Sequence, residues 1–464
     1  MNEYIFPKKA IATEGVSTEK LFVRRPLQIG LDERQTTAFT KNDYLILDFG
    51  IELCGGIRIL TYQGNNVPVR IRFGESMSEC CNEIGGAKNA TNDHSLRDFE
   101  ILLQNWSDMS FGQTGFRFVR LDFGGDVQIK SIVASNQILK KKAHYCYTGD
   151  DCRIRAIYET AKRTVDLCAS SGYVWDGIKR DRLVWIGDMA PEVLALTTLY
   201  GRTAVVERSL DYARGQYSLP QWMNTMPAYS LWWIIILADY YERTGAKSFI
   251  LRQMSYLLKL LRQVNDCVGD AGELKFPSNF VDWQTRGKVD ESAGMRAIGI
   301  YAMKRAIYIL REFGYDCSLA VAILNRLTSV EINVQTSKSV LGLKFFATGL
   351  SPADKEKLIK DGARGMTTFM SYYILKAVAS FDKPRAVAMM KEYYGGMLDK
   401  GATTFWEDFD LAWADNSSRI DELPHEGERD IHGDFGDHCY VGFRHSLCHG
   451  WSAGVIAFME EEKL

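Results

Sequence analysis

The chain has 464 residues, 46% of them hydrophobic and 25% charged, and its 56 basic and 58 acidic residues leave a net charge of −2. That balance excludes the basic excess of a nucleic-acid binder and the like-charge block of a membrane-surface segment, and the length exceeds one compact core. Ten cysteines without a CxxC or regular spacing make neither a metal site nor a disulfide framework, so reduced thiols and a cytoplasmic location are expected.

In chain order, the opening "MNEYIFPKKAIATEG" has no apolar core behind its charges and does not read as a signal peptide. Residues 1–145 carry the period of β-structure. "DYLILDFG" (43–50), "VPVRIRF" (67–73) and "GFRFVRLDFGG" (115–125) are strand-like. In the second, Val67, Val69, Ile71 and Phe73 share one face and Arg70 and Arg72 the other, behind the turn "GNN" (64–66). Short strands separated by polar turns predict an antiparallel β-sandwich. A linker near 143–150 follows.

From about 150 the period becomes helical. Ile154, Ile157, Ala161, Val165 and Cys168 form one stripe. Similar stripes cover roughly 190–213, 228–244, 248–266, 292–313, 316–328, 353–361, 367–380, 384–398 and 447–461, parted by breakers such as "TGA" (244–246) and "SPAD" (351–354). The most apolar run, "LWWIIILA" (231–238), is too short to cross a bilayer, so no membrane is expected. Ten or more helices in hairpin order over 146–464 predict a closed ring of helical hairpins, because each hairpin must bury its stripe against neighbours.

Loops at one end of such a ring would carry the chemistry. "WDGIKRDRLVWIGDM" (175–189) is one of them, with Asp176, Asp181 and Asp188 among Lys179, Arg180, Arg182, Trp175 and Trp185. Asp188 stands where a helix N-cap belongs. Asp176 and Asp181 are either salt-bridged on a solvated loop or drawn against apolar walls, where an acid can hold its proton. "KGATTFWEDFD" (400–410) places Glu407 between Trp406 and Phe409, as a general base or a rim salt bridge. Five of the seven histidines fall between 425 and 449, but their spacing is neither HxxxH nor HExxH, so no metal and no cofactor is expected. In "FPSNFVDWQTRG" (276–287), Asp282 and Trp283 pair an acceptor with an aromatic platform. Aromatic residues make up 12% of the chain, which suits either a packed core or a sugar site. Two carboxylates in different environments, one protonated and one ionised, are what cleavage of a glycosidic bond requires.

"DGIKRDRLVWIGD" (176–188), "GATTFWE" (401–407) and "SLCHGWSAG" (446–454) resemble the α-L-rhamnosidases of glycoside hydrolase family 78, and "LDFGIELCGGIRI" (47–59) and "TGFRFVRLDF" (114–123) resemble the sandwich preceding their barrel. The resemblance implies a multidomain, mainly-α chain with β: a β-sandwich domain over 1–145 and an (α/α)6-barrel catalytic domain over 146–464. It implies an inverting exo-glycoside hydrolase that removes terminal α-L-rhamnose from small rhamnosides without metal. Asp181 falls at the family's general acid and Glu407 at its general base. Asp176 and Asp188 fall at positions that bind rhamnose hydroxyls, and Arg180, Trp185, Asp282, Trp283, Trp406 and His449 line the sugar pocket. The pattern departs from the family in three places. Asp181 is one methylene shorter than the usual Glu. Trp185-Ile186-Gly187-Asp188 replaces Trp-Thr-Gly-Asp, and Asp408-Phe409 replaces Arg-Trp. A chain stopping at Leu464, just after the last barrel helix, would leave the aglycone site more open or filled by a homodimer partner. The shortened acid keeps two other readings open: a six-hairpin glycosidase for a different sugar, or a catalytically degenerate barrel that binds carbohydrate. The expected partner is in each case a small carbohydrate.

Overall fold

Alternating side chains in the first third build an antiparallel sheet: β1 (Glu3–Ile5), β2 (Lys9–Ala12), β3 (Thr37–Phe39), β4 (Tyr44–Gln63), β5 (Val67–Gly74), β6 (Asp98–Leu103), β7 (Ser107–Phe123) and β8 (Val127–Asn136). The computed structural model describes residues 3–32, 34–83, 97–436, 438–440 and 442–464. The strand order is β1-β8-β4-β7-β5-β6, with β2 also on β4 and β3 also on β8. The long strand β4 changes partner along its length, from β2 at Leu45–Asp48 to β8 beyond Gly55, across two irregularities in its pairing with β7. In β5 the alternation reads as predicted. Val67, Val69, Ile71 and Phe73 join the sheet's core, while Arg70 and Arg72 pair with Asp98 and Asp122 on the other face.

After the short helix α1 (Met77–Cys81), helices begin in earnest past residue 150. They are α2 (Cys152–Cys168), α3 (Met189–Tyr200), α4 (Ala204–Gln216), α5 (Pro227–Thr244), α6 (Lys247–Asp266), α7 (Glu291–Glu312), α8 (Ser318–Thr328), α9 (Lys338–Thr348), α10 (Pro352–Ile359), α11 (Ser371–Ala379), α12 (Lys383–Asp399) and α13 (Val455–Glu461). Helices α3, α5, α7, α9, α11 and α13 touch one another in that order, and α13 returns to α3. They are buried on nearly every side, as the all-round apolar "SLWWIIILA" of α5 requires. Helices α2, α6, α8, α10 and α12 each pack a single stripe against a member of that circle.

One sequence expectation is corrected here, and one helix was not anticipated. The stripe at 190–213 is two helices, α3 and α4, broken at Gly201, whose φ is 63°. Helix α9 carries no readable stripe because its residues are buried all round, so period alone did not mark it. No helix among the described residues is long and apolar enough to cross a membrane, and all ten cysteines are free thiols.

The sheet and the helices have separate apolar cores. Polar ties hold them together at the end where the site lies. Arg117 on β7 grips Asp48 through two 2.9 Å bonds and donates to the Gly401 carbonyl at 3.2 Å. The Leu447 N–H donates to Glu75 at 2.5 Å, and the Glu52 N–H to Thr403 Oγ1 at 2.8 Å. At the centre is Lys179, wholly buried, with its ammonium 3.0 Å from Glu75, 3.3 Å from Glu79 and 2.6 Å from the His445 carbonyl. Removing that cation leaves the buried Glu75 carboxylate without a cationic partner among the described residues, while Glu79 keeps Arg97. Lys179→Met is therefore expected to cost about 3–5 kcal/mol, read as an earlier midpoint in urea unfolding; an unchanged midpoint would show that this junction does not need its charge.

Candidate active site

The loop between α2 and α3 is tied down residue by residue. The Asp176 N–H donates to the Leu183 carbonyl at 3.1 Å, and the Leu183 N–H returns to Asp176 Oδ1 at 2.9 Å. The Gly450 N–H donates to the Asp176 carbonyl at 2.7 Å. Asn224 accepts from the Ile186 N–H at 3.0 Å and donates to the Val184 carbonyl at 3.2 Å. Asp181 and Arg182 have φ of 53° and 51°, and Asn224 and Thr225 have 50° and 63°. Left-handed backbone at non-glycine residues is costly and collects where surroundings over-determine it, and three of these four residues, Asp181, Asn224 and Thr225, line one cavity. Gly187 is obligatory, since a Cβ there would stand 2.3 Å from the Tyr229 ring.

The second acid-bearing loop, 400–410, is fixed through Glu407. Its N–H donates to the Ser446 carbonyl at 2.9 Å, and its carbonyl accepts from Trp451 Nε1 at 2.9 Å and Thr368 Oγ1 at 2.5 Å. This loop and the 175–189 loop, more than 200 positions apart in the chain, meet at a cavity of about 410 Å³. Asp176, Asp181, Asp188, Glu407 and His449 form its floor, each nearly inaccessible to solvent. Trp185, Tyr229, Phe280, Trp283 and Tyr440 form a continuous wall, successive ring centroids lying 5.2–6.1 Å apart. Thr225, Ser278, Asn279 and Arg286 make the exposed rim.

Of the residues singled out in the sequence, Asp176, Asp181, Trp185, Asp188, Trp283, Glu407 and His449 line this cavity. Three do not. Arg180 lies behind the floor: Nη1 donates to Asp181 Oδ2 at 3.0 Å, Nη2 to Glu407 Oε2 and Nε to the Arg444 carbonyl at 2.7 Å, and its guanidinium is stacked 3.7 Å from the Tyr440 ring centre. Asp282 turns away, accepting from the Thr285 N–H at 2.8 Å and Thr367 Oγ1 at 3.1 Å, so it shapes the loop that carries Trp283. Trp406 is wholly buried against Phe409. Asp188 does stand at the N-cap position of α3 but makes no side-chain cap bond; its carboxylate instead accepts from the Tyr229 hydroxyl at 2.6 Å. The salt-bridge reading fails for Asp176, which has no Lys or Arg partner among the described residues.

The floor divides its charge. Burial alone would raise Glu407, but Arg180, with His449 and His445 behind it, holds the carboxyl down at about 2. Asp188 goes the other way, pushed up to about 8 by burial and by Glu407 and Asp181, against the Tyr229 hydrogen bond. Asp176 is likewise driven well above the usual carboxylate range by burial, Asp181 and Asp188. Burial lowers His449 to about 4, so its imidazole is neutral near pH 7. His449 Nε2 sits 3.8 Å from Asp188, 3.9 Å from Glu407 and 4.0 Å from Asp176. At neutral pH the floor thus presents ionised Glu407 on Arg180 beside protonated carboxyls and a neutral imidazole, a set able to donate to and accept from hydroxyls.

Among the described residues, two groups of donor atoms could hold a cation. Asp176, Asp188 and His449 converge within 4.8 Å on the floor itself, and Glu75, Glu79 and His432 do so behind it, where the Lys179 ammonium already stands. Sequence reading did not single out Tyr229, Tyr440, Phe280, Asn224, Arg286 and Trp451 of the cavity, although Phe280, Arg286 and Trp451 fall within the stretches 276–287 and 446–454 that were quoted for their neighbours. It also missed Glu192, a buried α3 carboxyl packed where a Cβ on Gly450 would stand 1.5 Å from Glu192 Oε1. "DMAPE" with Asp188 and Glu192 four apart was the available signal, since that spacing puts both on one helix face.

No protein-family model matches the chain, and no curated protein matches it. Solved structures do. A rhamnosidase from Klebsiella oxytoca with rhamnose bound superposes with a TM-score of 0.77 at 19% identity, covering 100% of this chain and 96% of that one. A GH78 family rhamnosidase of Bacillus sp. GL1 gives 0.72 at 17% identity, covering 95% of this chain and 48% of that one. A Streptomyces avermitilis α-L-rhamnosidase complexed with L-rhamnose gives 0.62 at 14% identity, covering 90% and 42%. The chain has the fold of these rhamnosidases over its whole length, and spans about half or less of the latter two.

Proposed function

We propose that the protein is an inverting exo-glycoside hydrolase that removes terminal α-L-rhamnose from small rhamnosides, with a β-sandwich domain over 1–145 and an (α/α)6-barrel catalytic domain over 146–464. The circle of α3, α5, α7, α9, α11 and α13 supports the barrel. One observation carries the function: in a rhamnosidase fold, the two acids predicted from distant turns, Asp181 and Glu407, line one aromatic-walled cavity and share the Arg180 guanidinium.

A terminal rhamnose enters with its ring against the aromatic wall and its hydroxyls toward Asp176, Asp188 and His449. Glu407 Oε2 is occupied by Arg180 and the Ser446 N–H, at 3.1 Å from the latter. Oε1 is therefore the oxygen that orients the water and takes its proton as the water attacks the anomeric carbon. Displacement of bulk water by the sugar removes solvation from that carboxylate and raises its basicity. Asp181 gives its proton to the departing oxygen as the glycosidic bond breaks, on the opposite side of the ring from the water.

A second reading has a specific observation behind it: Asp188 is a floor carboxyl that burial holds protonated up to about pH 8, as burial also drives Asp176 upward, while Asp181 lies 3.0 Å from the Arg180 guanidinium. Leaving-group dependence separates them. A proton donor matters most for basic leaving groups, so Asp181→Asn is expected to lose far more on a methyl or 4-methoxyphenyl rhamnoside than on the 2,4-dinitrophenyl one. Finding that signature in Asp188→Asn instead would move the acid to Asp188. A panel of aryl glycosides tests the sugar itself: turnover of another glycoside and of no α-L-rhamnoside would sink the rhamnosidase reading.

The pH profile follows from the same groups. Asp188 loses its proton near pH 8 and adds a negative charge beside Glu407, so kcat/KM is expected to fall on an alkaline limb there. The Tyr229 hydroxyl favours the ionised form of Asp188. Tyr229→Phe is therefore expected to move the limb to higher pH; a limb that stays put or moves down would detach it from Asp188.

A further inference from the structure

The rim of the cavity differs in charge from its floor. All four carboxylates that line it are buried at the bottom, and the one cation among its lining residues, Arg286, is exposed at the mouth. Arg286 lies over the face of Trp283, 5.3 Å from the ring centre, and no carboxylate of the described residues pairs with it. The floor's own charge is already met by Arg180. Arg286 is thus a guanidinium held at the opening with its hydrogen-bonding fork unspent.

We infer that Arg286 selects a leaving group bearing a carboxylate, an acidic sugar of the uronate class being the natural form. This rests on the exo-glycosidase reading, which seats the terminal sugar on the closed floor and the group beyond the scissile bond at the rim. A sugar or aryl ring there packs beside Trp283, and a planar carboxylate on it matches the guanidinium in two parallel hydrogen bonds. Stacking on Trp283 restrains the arginine, so less side-chain freedom is lost on binding. Of the buried acids beneath, Asp176, Asp188 and Glu407 serve the neutral terminal sugar and the attacking water, and Asp181 is paired with Arg180, so an anion at the rim meets positive potential first.

The test is a matched pair of substrates, 4-carboxyphenyl and 4-carbamoylphenyl α-L-rhamnoside, which differ in charge and little in shape. The wild type is expected to favour the carboxylate in kcat/KM by about three- to tenfold, less at high salt, and the ratio is expected to fall to about one in Arg286→Gln. A wild-type ratio of one, or the same ratio in both proteins, overturns the inference. If neither compound is hydrolysed, the rhamnosidase reading fails by itself. Binding of free glucuronate then decides the present point, read by tryptophan fluorescence with glucose as the neutral control. Glucuronate binding that weakens in Arg286→Gln supports it; equal or absent binding in both proteins refutes it.

Discussion

Glu407→Gln is expected to lower kcat on an aryl α-L-rhamnoside by about 10²–10⁴-fold, with the fold intact and rhamnose still bound. The substitution keeps shape and both polar atoms but removes the charge that accepts the water's proton. The backbone bonds of Glu407 to Ser446, Trp451 and Thr368 do not involve the carboxylate, so the loop stays in place. The loss should appear for good and poor leaving groups alike, because water activation is needed whatever departs. That separates it from Asp181→Asn, whose loss should shrink as the leaving group improves. A Glu407→Gln enzyme with wild-type kcat would remove this residue from the chemistry. A wild type that binds rhamnose and hydrolyses nothing over long incubation would favour the binding-barrel alternative.

The second large effect is expected at Arg180, although it does not line the cavity. Arg180→Met should reduce kcat by about 10²-fold, and it should do so with a distinctive pH signature. The arginine is the main reason that Glu407 stays at about 2 despite burial. Without it, only His449 and His445 oppose burial and the carboxyl rises, so the acid limb of kcat/KM moves upward toward neutral pH. Arg180→Lys should recover part of the rate and part of the shift. A lysine keeps the charge but cannot reach Asp181, Glu407 and the Arg444 carbonyl at once or stack flat on Tyr440. A slower Arg180→Met enzyme with an unmoved acid limb would make this residue a packing element only.

The sequence was most legible where side chains repeat at a fixed period or carry charge in an apolar setting. Strand β5 could be read because one of its faces is core and the other carries ion pairs. The loops with Asp176, Asp181, Asp188 and Glu407 stood out because acids among tryptophans have no ordinary structural use. Helix α9 could not be read in the same way, since a helix buried on every side has no polar face to set its period. Tyr229 and Phe280 were hidden for a related reason: aromatic residues in apolar company announce packing, and only their position opposite Trp185 and Trp283 makes them a sugar wall. Asp188 and Asp282 show the reverse. Their local settings suggested a cap and a sugar contact, whereas Tyr229 draws the first into the cavity and Thr285 and Thr367 hold the second out of it. Long-range partners decided both, and no local window contains them.

Following hydrolysis of an aryl α-L-rhamnoside by proton NMR within the first minutes, before mutarotation, tests the two-acid geometry most directly. Attack by a water held on Glu407, opposite a donor at Asp181, requires the β-anomer of L-rhamnose to appear first and the α-anomer to grow in later. The α-anomer appearing first would mean a covalent intermediate and a nucleophilic carboxylate, and would contradict the assignment of Glu407 as a base.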